Sequence, residues 1–350
     1  MKAIRRVALI GVVLGIAALL MGSRARTNER IESSAAFDTA FLARDGRAHV
    51  QLRALRRPAW IGGPVTTSTG ETVKVFVSAT YSDAPAVGRH WAEFFVSLAH
   101  GNELGLLNAY IAPPSEVAQL CGGERILGCY GGGRLLAPGE PSDGLEPEAI
   151  AAHEYGHHVA ANRSNAPWRA LDWGTKRWAT YEEVCARTSA GTAFPGDEGA
   201  MYALNPGEAF AETYRELNRP TTPLRWLVAD PSFVPDAAAL DAVREDVVAP
   251  WQTPAARAIK GGLRGTGTRR WQRTLATPLD GDVSVALSFP LGGAYALTAR
   301  AADGTVLAAG ASTGTGRMRL ALQICGQRTV VLRVVRLGAP GAFTLRIAEP

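Results

Sequence analysis

One short stretch of the sequence has the residue types and the spacing that could bind a metal ion. It reads His153-Glu154-Tyr155-Gly156-His157, so two imidazoles lie four residues apart and a carboxylate follows the first. On an α-helix, residues four apart share a face, and both imidazoles can reach one ion while Glu154 reaches water bound to it. The pattern indicates hydrolysis by metal-bound water, with Glu154 as general base. The alternative is a pair of surface or core histidines.

A hydrolytic site of this kind needs a third protein ligand and an open position for water. No histidine follows His158, so the third ligand is expected to be a carboxylate. The best candidates are Glu208 and Glu212, which lie four apart on a helix predicted to begin at Pro206 with Asn205 as its cap. Two imidazoles and a carboxylate suit Zn²⁺. Glu208 could also be a capping-box residue, and the two roles are compatible.

The motif helix and the later acidic helix together resemble the gluzincin group of zinc metallopeptidases, which includes thermolysin-like and lethal-factor-like enzymes. The stretch Glu-x-Phe-Ala-Glu that begins at Glu208 is especially similar to the lethal-factor-like version. The resemblance spans roughly residues 70–250 and rests on two short motifs. It implies that Glu208 binds zinc, that Glu212 orients a ligating histidine, and that Tyr202 donates to the oxyanion.

Other side chains near the motifs are expected to have lesser roles. Tyr155, Tyr181 and Tyr214 compete with Tyr202 as the donor, and each is expected to be structural. His158 is expected to lie on the surface or behind the ligands and not to bind the metal. The sequence departs from the thermolysin pattern in the long stretch between its motifs and in lacking a downstream histidine as donor. The choice of Tyr202 therefore rests on the resemblance.

The length of the chain, 350 residues, predicts two domains, and their helices and strands must position these residues. Residues 66–252 are predicted to form an α+β, zincin-like catalytic domain, with the motif helix running from about Pro147 to Asn162. Residues 253–268, rich in Gly, Thr and Arg, are predicted to be a linker. Residues 269–350 alternate with a period of two, which is typical of a small all-β sandwich. By position and strand pattern, this part resembles the pre-peptidase-like sandwich found behind many secreted bacterial peptidases.

The start of the chain indicates export. Residues 1–25 combine basic residues, an apolar run and a small-residue segment, as a secretory signal peptide does. The run is short for a membrane span, so cleavage is favoured over an uncleaved N-terminal anchor. Residues 26–65 are expected to be an extension or propeptide.

Without residues 1–25 the chain has 33 basic and 32 acidic residues, and such a balance does not require nucleic acid or an anionic membrane as partner.

The four cysteines are Cys121, Cys129, Cys185 and Cys325. An even number in an exported chain indicates disulfides. Cys121 and Cys129 are the favoured pair because they are close in sequence and flank a predicted turn. The remaining two would then link the two domains. Buried free thiols are the alternative.

These patterns predict a secreted or cell-envelope zinc endopeptidase, expected to be a monomer, that acts on a protein or peptide substrate. Two other classes stay open. One is a zinc hydrolase that acts on a substrate other than protein. The other is a surface binding or adhesion protein whose zinc helix is structural or vestigial. The intact Glu154 argues against a vestigial site, because a structural zinc ion needs no general base.

Overall fold

The computed structural model describes residues 59–123, 126–220, 230–264 and 269–350. The predicted signal peptide, most of the predicted extension and residues 265–268 of the predicted linker lie outside these ranges. The described residues form helices and three sheets, of which one has five strands and two have four. The five-stranded sheet and the helices share one main hydrophobic core, and the two four-stranded sheets enclose another.

The first part of the described chain contains both helices and strands, and the second part contains strands. The helices of the described ranges are α1 (Ala84–Ser97), α2 (Pro114–Cys121), α3 (Pro147–Ala161), α4 (Ala170–Trp173), α5 (Lys176–Tyr181), α6 (Val184–Ser189), α7 (Pro206–Asn218) and α8 (Ala237–Val248). The strands of the first part are β1 (Trp60–Thr66), β2 (Thr72–Ser78), β3 (Asn108–Ala112), β4 (Cys129–Gly131) and β5 (Arg134–Pro138). The first part is thus an α+β arrangement.

The five-stranded sheet has the order β1-β2-β3-β5-β4, with β2, β3 and β5 parallel and the two outer strands antiparallel to their neighbours. A tight turn at Gly132 and Gly133, with φ of 58° and 79°, joins β4 to β5. Two successive positive φ angles are what a two-residue hairpin turn requires. β1 begins at Trp60, inside the predicted extension, because its full-length pairing with β2 orders a Gly-Gly-Pro segment that has weak strand preference.

Helix α3 carries the motif and is buried on nearly every side. Pro147 occupies its first turn, as expected, and only Glu148 and Ala161 are not buried. The helix packs between strand β5 and helix α7. A helix enclosed in this way brings its polar side chains into the interior, where each needs a partner.

The second part consists of antiparallel strands in two sheets. They are β6 (Ala255–Leu263), β7 (Arg270–Ala276), β8 (Gly281–Ser288), β9 (Ala294–Ala301), β10 (Val306–Thr313), β11 (Arg317–Ile324), β12 (Thr329–Arg336) and β13 (Gly341–Glu349). The sheet orders are β10-β9-β12-β7 and β11-β8-β13-β6, and both sheets contribute to one core, as in a sandwich. β6 lies where the sequence predicted a linker. Its Ala- and Gly-rich segment shows no clear alternation, and pairing with the whole of β13 orders it.

The two parts are joined by a disulfide and by buried polar contacts. The structure contains Cys121–Cys129 and Cys185–Cys325, the pairing favoured from the sequence, and the second pair links α6 to the residue after β11. Beside it, Lys176 Nζ donates to the Asp280 carbonyl at 2.8 Å. Such disulfides are typical of extracytoplasmic proteins. Of the helices described, none has the length and apolar character needed to span a membrane.

Candidate metal centre

Helices α3 and α7 bring three potential ligands together. His153 Nε2 lies 3.2 Å from Glu208 Oε2, and His157 Nε2 lies 3.4 Å from Glu208 Oε1. All three side chains are buried, and one ligand atom from each lies within 4.8 Å of the others. This buried cluster could bind a metal ion.

The donor set and its spacing fit a zinc ion. Zinc is bound by imidazole nitrogen and carboxylate oxygen at about 2.0–2.2 Å, usually in a tetrahedron. The edge of such a tetrahedron is about 3.3–3.5 Å, which follows from those bond lengths. The separations of 3.2 and 3.4 Å between imidazole nitrogens and carboxylate oxygens are close to that edge. The three side chains can therefore approach one ion without large rearrangement.

The start of α7 aims Glu208 at the histidines. Asn205 caps the helix as predicted, and its side-chain oxygen accepts from Gly207 N at 3.0 Å. The reciprocal capping-box bond is not made, since the Asn205 N–H donates to the Tyr202 carbonyl at 3.0 Å. The Glu208 carboxylate instead points into the interior toward α3. Glu208 therefore does not act as a capping-box residue, and its carboxylate contacts both imidazoles instead.

Glu212, one turn further along α7, contacts the other nitrogen of His153. Its Oε2 lies 3.2 Å from His153 Nδ1, and its Oε1 accepts from Arg215 Nε at 2.8 Å. A carboxylate at Nδ1 fixes the ring and leaves Nε2 facing Glu208. Arg215, which the sequence analysis did not single out, supplies the opposite charge that a buried carboxylate needs.

The charges of the cluster are strongly coupled. Burial lowers the pKa of His153, but hydrogen bonds to Glu208 and Glu212 outweigh this and raise the pKa to about 10. Burial would raise the pKa of Glu208, but His157 and His153 hold it well below its usual range. Because a ligating imidazole must be neutral, metal binding at this cluster must release a proton.

The side chain of Glu154, on α3, lies beside Gly128, the residue that precedes the edge strand β4. It is 7% exposed, and a β-carbon placed on Gly128 would lie 2.8 Å from its Oε1. Gly128 precedes Cys129, whose disulfide to Cys121 ties the start of β4 to α2. The bare backbone at Gly128 thus leaves room for the Glu154 carboxylate. Sequence reasoning did not single out Gly128, because a glycine in a loop is an ordinary feature.

Of the four tyrosines considered as donors, Tyr202 is the one that bonds to a residue of the cluster. Its hydroxyl donates to Glu208 Oε2 at 2.6 Å. Burial and then the adjacent Glu208 carboxylate raise the pKa of Tyr202, so the hydroxyl keeps its proton. A protonated phenol beside the ligands can act as a hydrogen-bond donor.

The three competing tyrosines have partners elsewhere in the fold. In order along the chain, Tyr155 donates to Glu103 Oε1, Tyr181 to Asp236 Oδ2 and Tyr214 to the Ala99 carbonyl. Each of these contacts ties a helix to a neighbouring segment, in agreement with the structural role expected for these residues.

His158 is fully buried, so the surface position is wrong. Its Nε2 lies 2.7 Å from the Glu103 carbonyl, which can only accept, and therefore Nε2 carries the proton. In the neutral ring, Nδ1 then accepts from the Tyr130 hydroxyl, 3.1 Å away. The Tyr130 ring lies nearly parallel to that of His157, with centroids 6.5 Å apart. Tyr130 had no sequence signal, because only the β4–β5 hairpin places it there.

No family model and no curated protein match the chain. Among solved structures, the chain is similar to the pre-peptidase C-terminal domain of a Bacillus anthracis collagenase, at 15% identity over 26% of this chain and 87% of that one, with a TM-score of 0.22. It is also similar to Legionella pneumophila aminopeptidase A, at 10% identity over 79% of this chain and 37% of that one, with a TM-score of 0.24. A Yersinia pseudotuberculosis-derived mitogen matches at 11% identity over 28% of this chain and 87% of that one, with a TM-score of 0.21.

Proposed function

We propose that the chain is an extracytoplasmic zinc-dependent endopeptidase of the gluzincin type, with a zincin-like catalytic domain and a pre-peptidase-like sandwich. The observation that carries the proposal is the convergence of His153, His157 and Glu208. The charge of Glu154 acts on His153, and the Tyr202 hydroxyl bonds to Glu208. A site that only held a structural ion would not need an added base and an added donor. The two disulfides agree with a location outside the cytoplasm.

In this proposal His153, His157 and Glu208 hold the ion, and Glu212 keeps His153 in the tautomer that presents Nε2. A bound zinc ion would supply Lewis-acid polarisation of water and of the scissile carbonyl. Glu154 removes a proton from the attacking water and returns it to the leaving amine. Tyr202 donates a hydrogen bond to the oxygen on which charge develops.

The substrate is proposed to be an extended protein or peptide segment. β4 ends the five-stranded sheet and leaves one edge without a described neighbouring strand. An extended peptide can pair with such an edge through its backbone. Since the chain passes from Gly128 beside Glu154 directly into β4, a peptide paired there would run past the general base.

The test is hydrolysis of casein by the purified chain loaded with zinc, compared with Glu154→Gln and with chelator-treated protein. The proposal expects activity in the wild type and its loss in both controls, while Glu154→Gln retains about one zinc ion per chain. A folded, zinc-loaded wild type that cleaves neither casein nor a peptide library would contradict the peptidase assignment. Cleavage of a non-peptide ester under those conditions would favour a different zinc hydrolase.

A further inference from the structure

Without residues 1–25 the charges of the chain nearly balance, but this balance conceals two strongly and oppositely charged parts. Residues 255–350, the sandwich, contain 13 Lys and Arg but 4 Asp and Glu, a formal net charge of +9. Residues 59–254 contain 13 basic and 24 acidic residues, a formal net charge of −11. Such asymmetry between parts of one chain is typical of a module that binds an anionic partner.

Four of the 13 basic residues of the sandwich lie on the outer face of the sheet β11-β8-β13-β6. Along each strand the alternate residues point inward to the core, and the residues between them form the outer face. Two neighbouring rows cross this face. In strand order their residues are Lys260, Thr344, Ser288 and Arg317, and then Ala258, Arg346, Ala286 and Arg319.

The four cations, Lys260, Arg317, Arg319 and Arg346, define what we name the cationic face. All four are exposed. The salt bridges described in the sandwich, Arg257–Glu349 and Arg328–Asp280, use other residues, and no described residue pairs with these four. Their charges are therefore available to a partner.

Small side chains separate the cations. Thr344 and Ser288 lie between Lys260 and Arg317 in one row, and alanines flank Arg346 in the next. With strands about 4.8 Å apart, the charges spread over an area roughly 14 Å wide that has no bulky residue to interrupt it. The acidic side chain on this side, Asp282, is four residues along β8 from the nearer row, about 13 Å away.

A groove of about 650 Å³ opens at one end of the cationic face. Its lining includes Lys260 and Arg264, the hydroxyl residues Ser288 and Thr344, and no acidic residue. The groove thus extends the face with one further exposed cation and with two groups that can bond to hydroxyls.

These features favour an acidic polysaccharide over other polyanions. Single-stranded nucleic acid needs exposed aromatic side chains on which bases stack. The two rows carry none, and Phe289 and Phe343, which line the groove, are buried. Duplex DNA is read by a helix or a two-stranded ribbon that enters a groove, and not by a broad sheet face. Protein interfaces depend on buried aromatic or aliphatic anchors. An extended chain of sugars with carboxylate or sulfate groups can lie flat across the strands, bound by guanidinium groups and hydroxyls.

We propose that the cationic face of the sandwich binds an extended acidic polysaccharide, carboxylated or sulfated. This interaction is independent of the metal centre, and it would hold the chain at an anionic surface layer while a substrate is bound elsewhere.

The test measures binding of the full chain, with both disulfides intact, to polygalacturonate and to heparin, with neutral dextran as control. Arg317→Gln/Arg319→Gln removes two charges from the edge strand β11. Arg270→Gln/Arg273→Gln removes two exposed arginines from β7, the edge strand of the other sheet, and is the matched control. We expect salt-sensitive binding to one or both acidic polysaccharides, weakened about tenfold by the β11 pair and less than about twofold by the β7 pair.

Three outcomes would overturn the proposal. The first is equal weakening by the two pairs, since net charge alone would then explain binding. The second is equal binding to dextran, or no binding to either acidic polysaccharide at low salt. The third is tighter binding to duplex DNA, polyglutamate or phosphatidylglycerol vesicles, which would assign the face to another class of partner. Near-ultraviolet circular dichroism of both variants checks that they are folded.

Discussion

Gly156 of α3 and Ala211 of α7 lie where the two helices meet, and a β-carbon on Gly156 would lie 2.8 Å from the Ala211 Cα. The same atom would lie 3.0 Å from the Ala211 carbonyl oxygen. Because backbone atoms cannot move aside as a side chain can, any larger residue must push the helices apart. The glycine within the motif therefore allows α7 to approach closely enough for Glu208 to reach both histidines.

Gly156→Ala is expected to separate the helices and to weaken metal binding. Overpacking of this kind costs about 1–3 kcal/mol of folding free energy. The expected zinc affinity falls by at least about tenfold, since small shifts of ligands are costly. Gly156→Ala and, as control, Gly105→Ala, where a β-carbon meets no neighbour within 4 Å, are compared by chelator competition. Unchanged affinity in Gly156→Ala would contradict the role given to this contact.

Glu208 and Glu212 are expected to respond differently to the same substitution. Glu208→Gln should abolish stoichiometric zinc binding, because it removes the charged ligand that faces both imidazoles. Glu212→Gln keeps a hydrogen-bond acceptor at His153 Nδ1 and should weaken affinity by about 10- to 100-fold. Zinc per chain after dialysis, measured by atomic emission, separates the two. The opposite order would reverse the assignment of ligand and orienting residue.

Tyr202→Phe is expected to retain zinc and to lose turnover. Removal of one donor to an oxyanion lowers kcat by about 100- to 1,000-fold in comparable sites. Tyr181→Phe is the control, because the Tyr181 hydroxyl bonds to Asp236 on the protein surface. The measurement is kcat and KM on a peptide that the wild type cleaves. Full activity in Tyr202→Phe would exclude this hydroxyl as the donor.

Glu182 should make the folding stability depend on pH. Burial raises the pKa of Glu182 to about 7, and Asp236 adds to the increase against the opposing effect of Arg187. In the unfolded chain the pKa is about 4.3. The folded state therefore binds more protons between these values, and the contribution of Glu182 to the free energy of unfolding falls as pH rises through this window.

Glu182→Gln removes this ionisation and should stabilise the protein at pH above about 8 by roughly 1–3 kcal/mol, with little effect below about pH 5. Urea unfolding at both pH values, with disulfides intact, measures the difference. An equal gain at both would show that the effect comes from packing and not from the charge.

The elements that depend on local pattern were predictable from the sequence. The apolar surroundings and the four-residue spacing placed His153 and His157 on one helix face, and Asn205 predicted the start of α7. The hairpin at Asp303-Gly304 was also predictable, and Gly304 has a φ of 89°. These features follow from helix and turn geometry within a few residues.

Strands without their own pattern were not predictable in this way. β1 and β6 have Gly-rich segments with little alternation, and each is ordered by pairing along its whole length with a partner strand. The cationic face was concealed for a related reason. Arg317, Arg319 and Arg346 come together only through the register of β11, β8 and β13.

The sequence by itself determined which chemical groups are present. Two imidazoles, a base and a helix with two acids can each be recognised from residue types and their spacing within a short segment. Only the tertiary structure decided how they are used. The crossing of α3 and α7 set Glu208 against both Nε2 atoms and Glu212 against Nδ1, and the loop before α7 brought Tyr202 to Glu208. The contacts between α3 and α7 join residues more than 50 positions apart, and long-range packing fixes them where periodicity cannot.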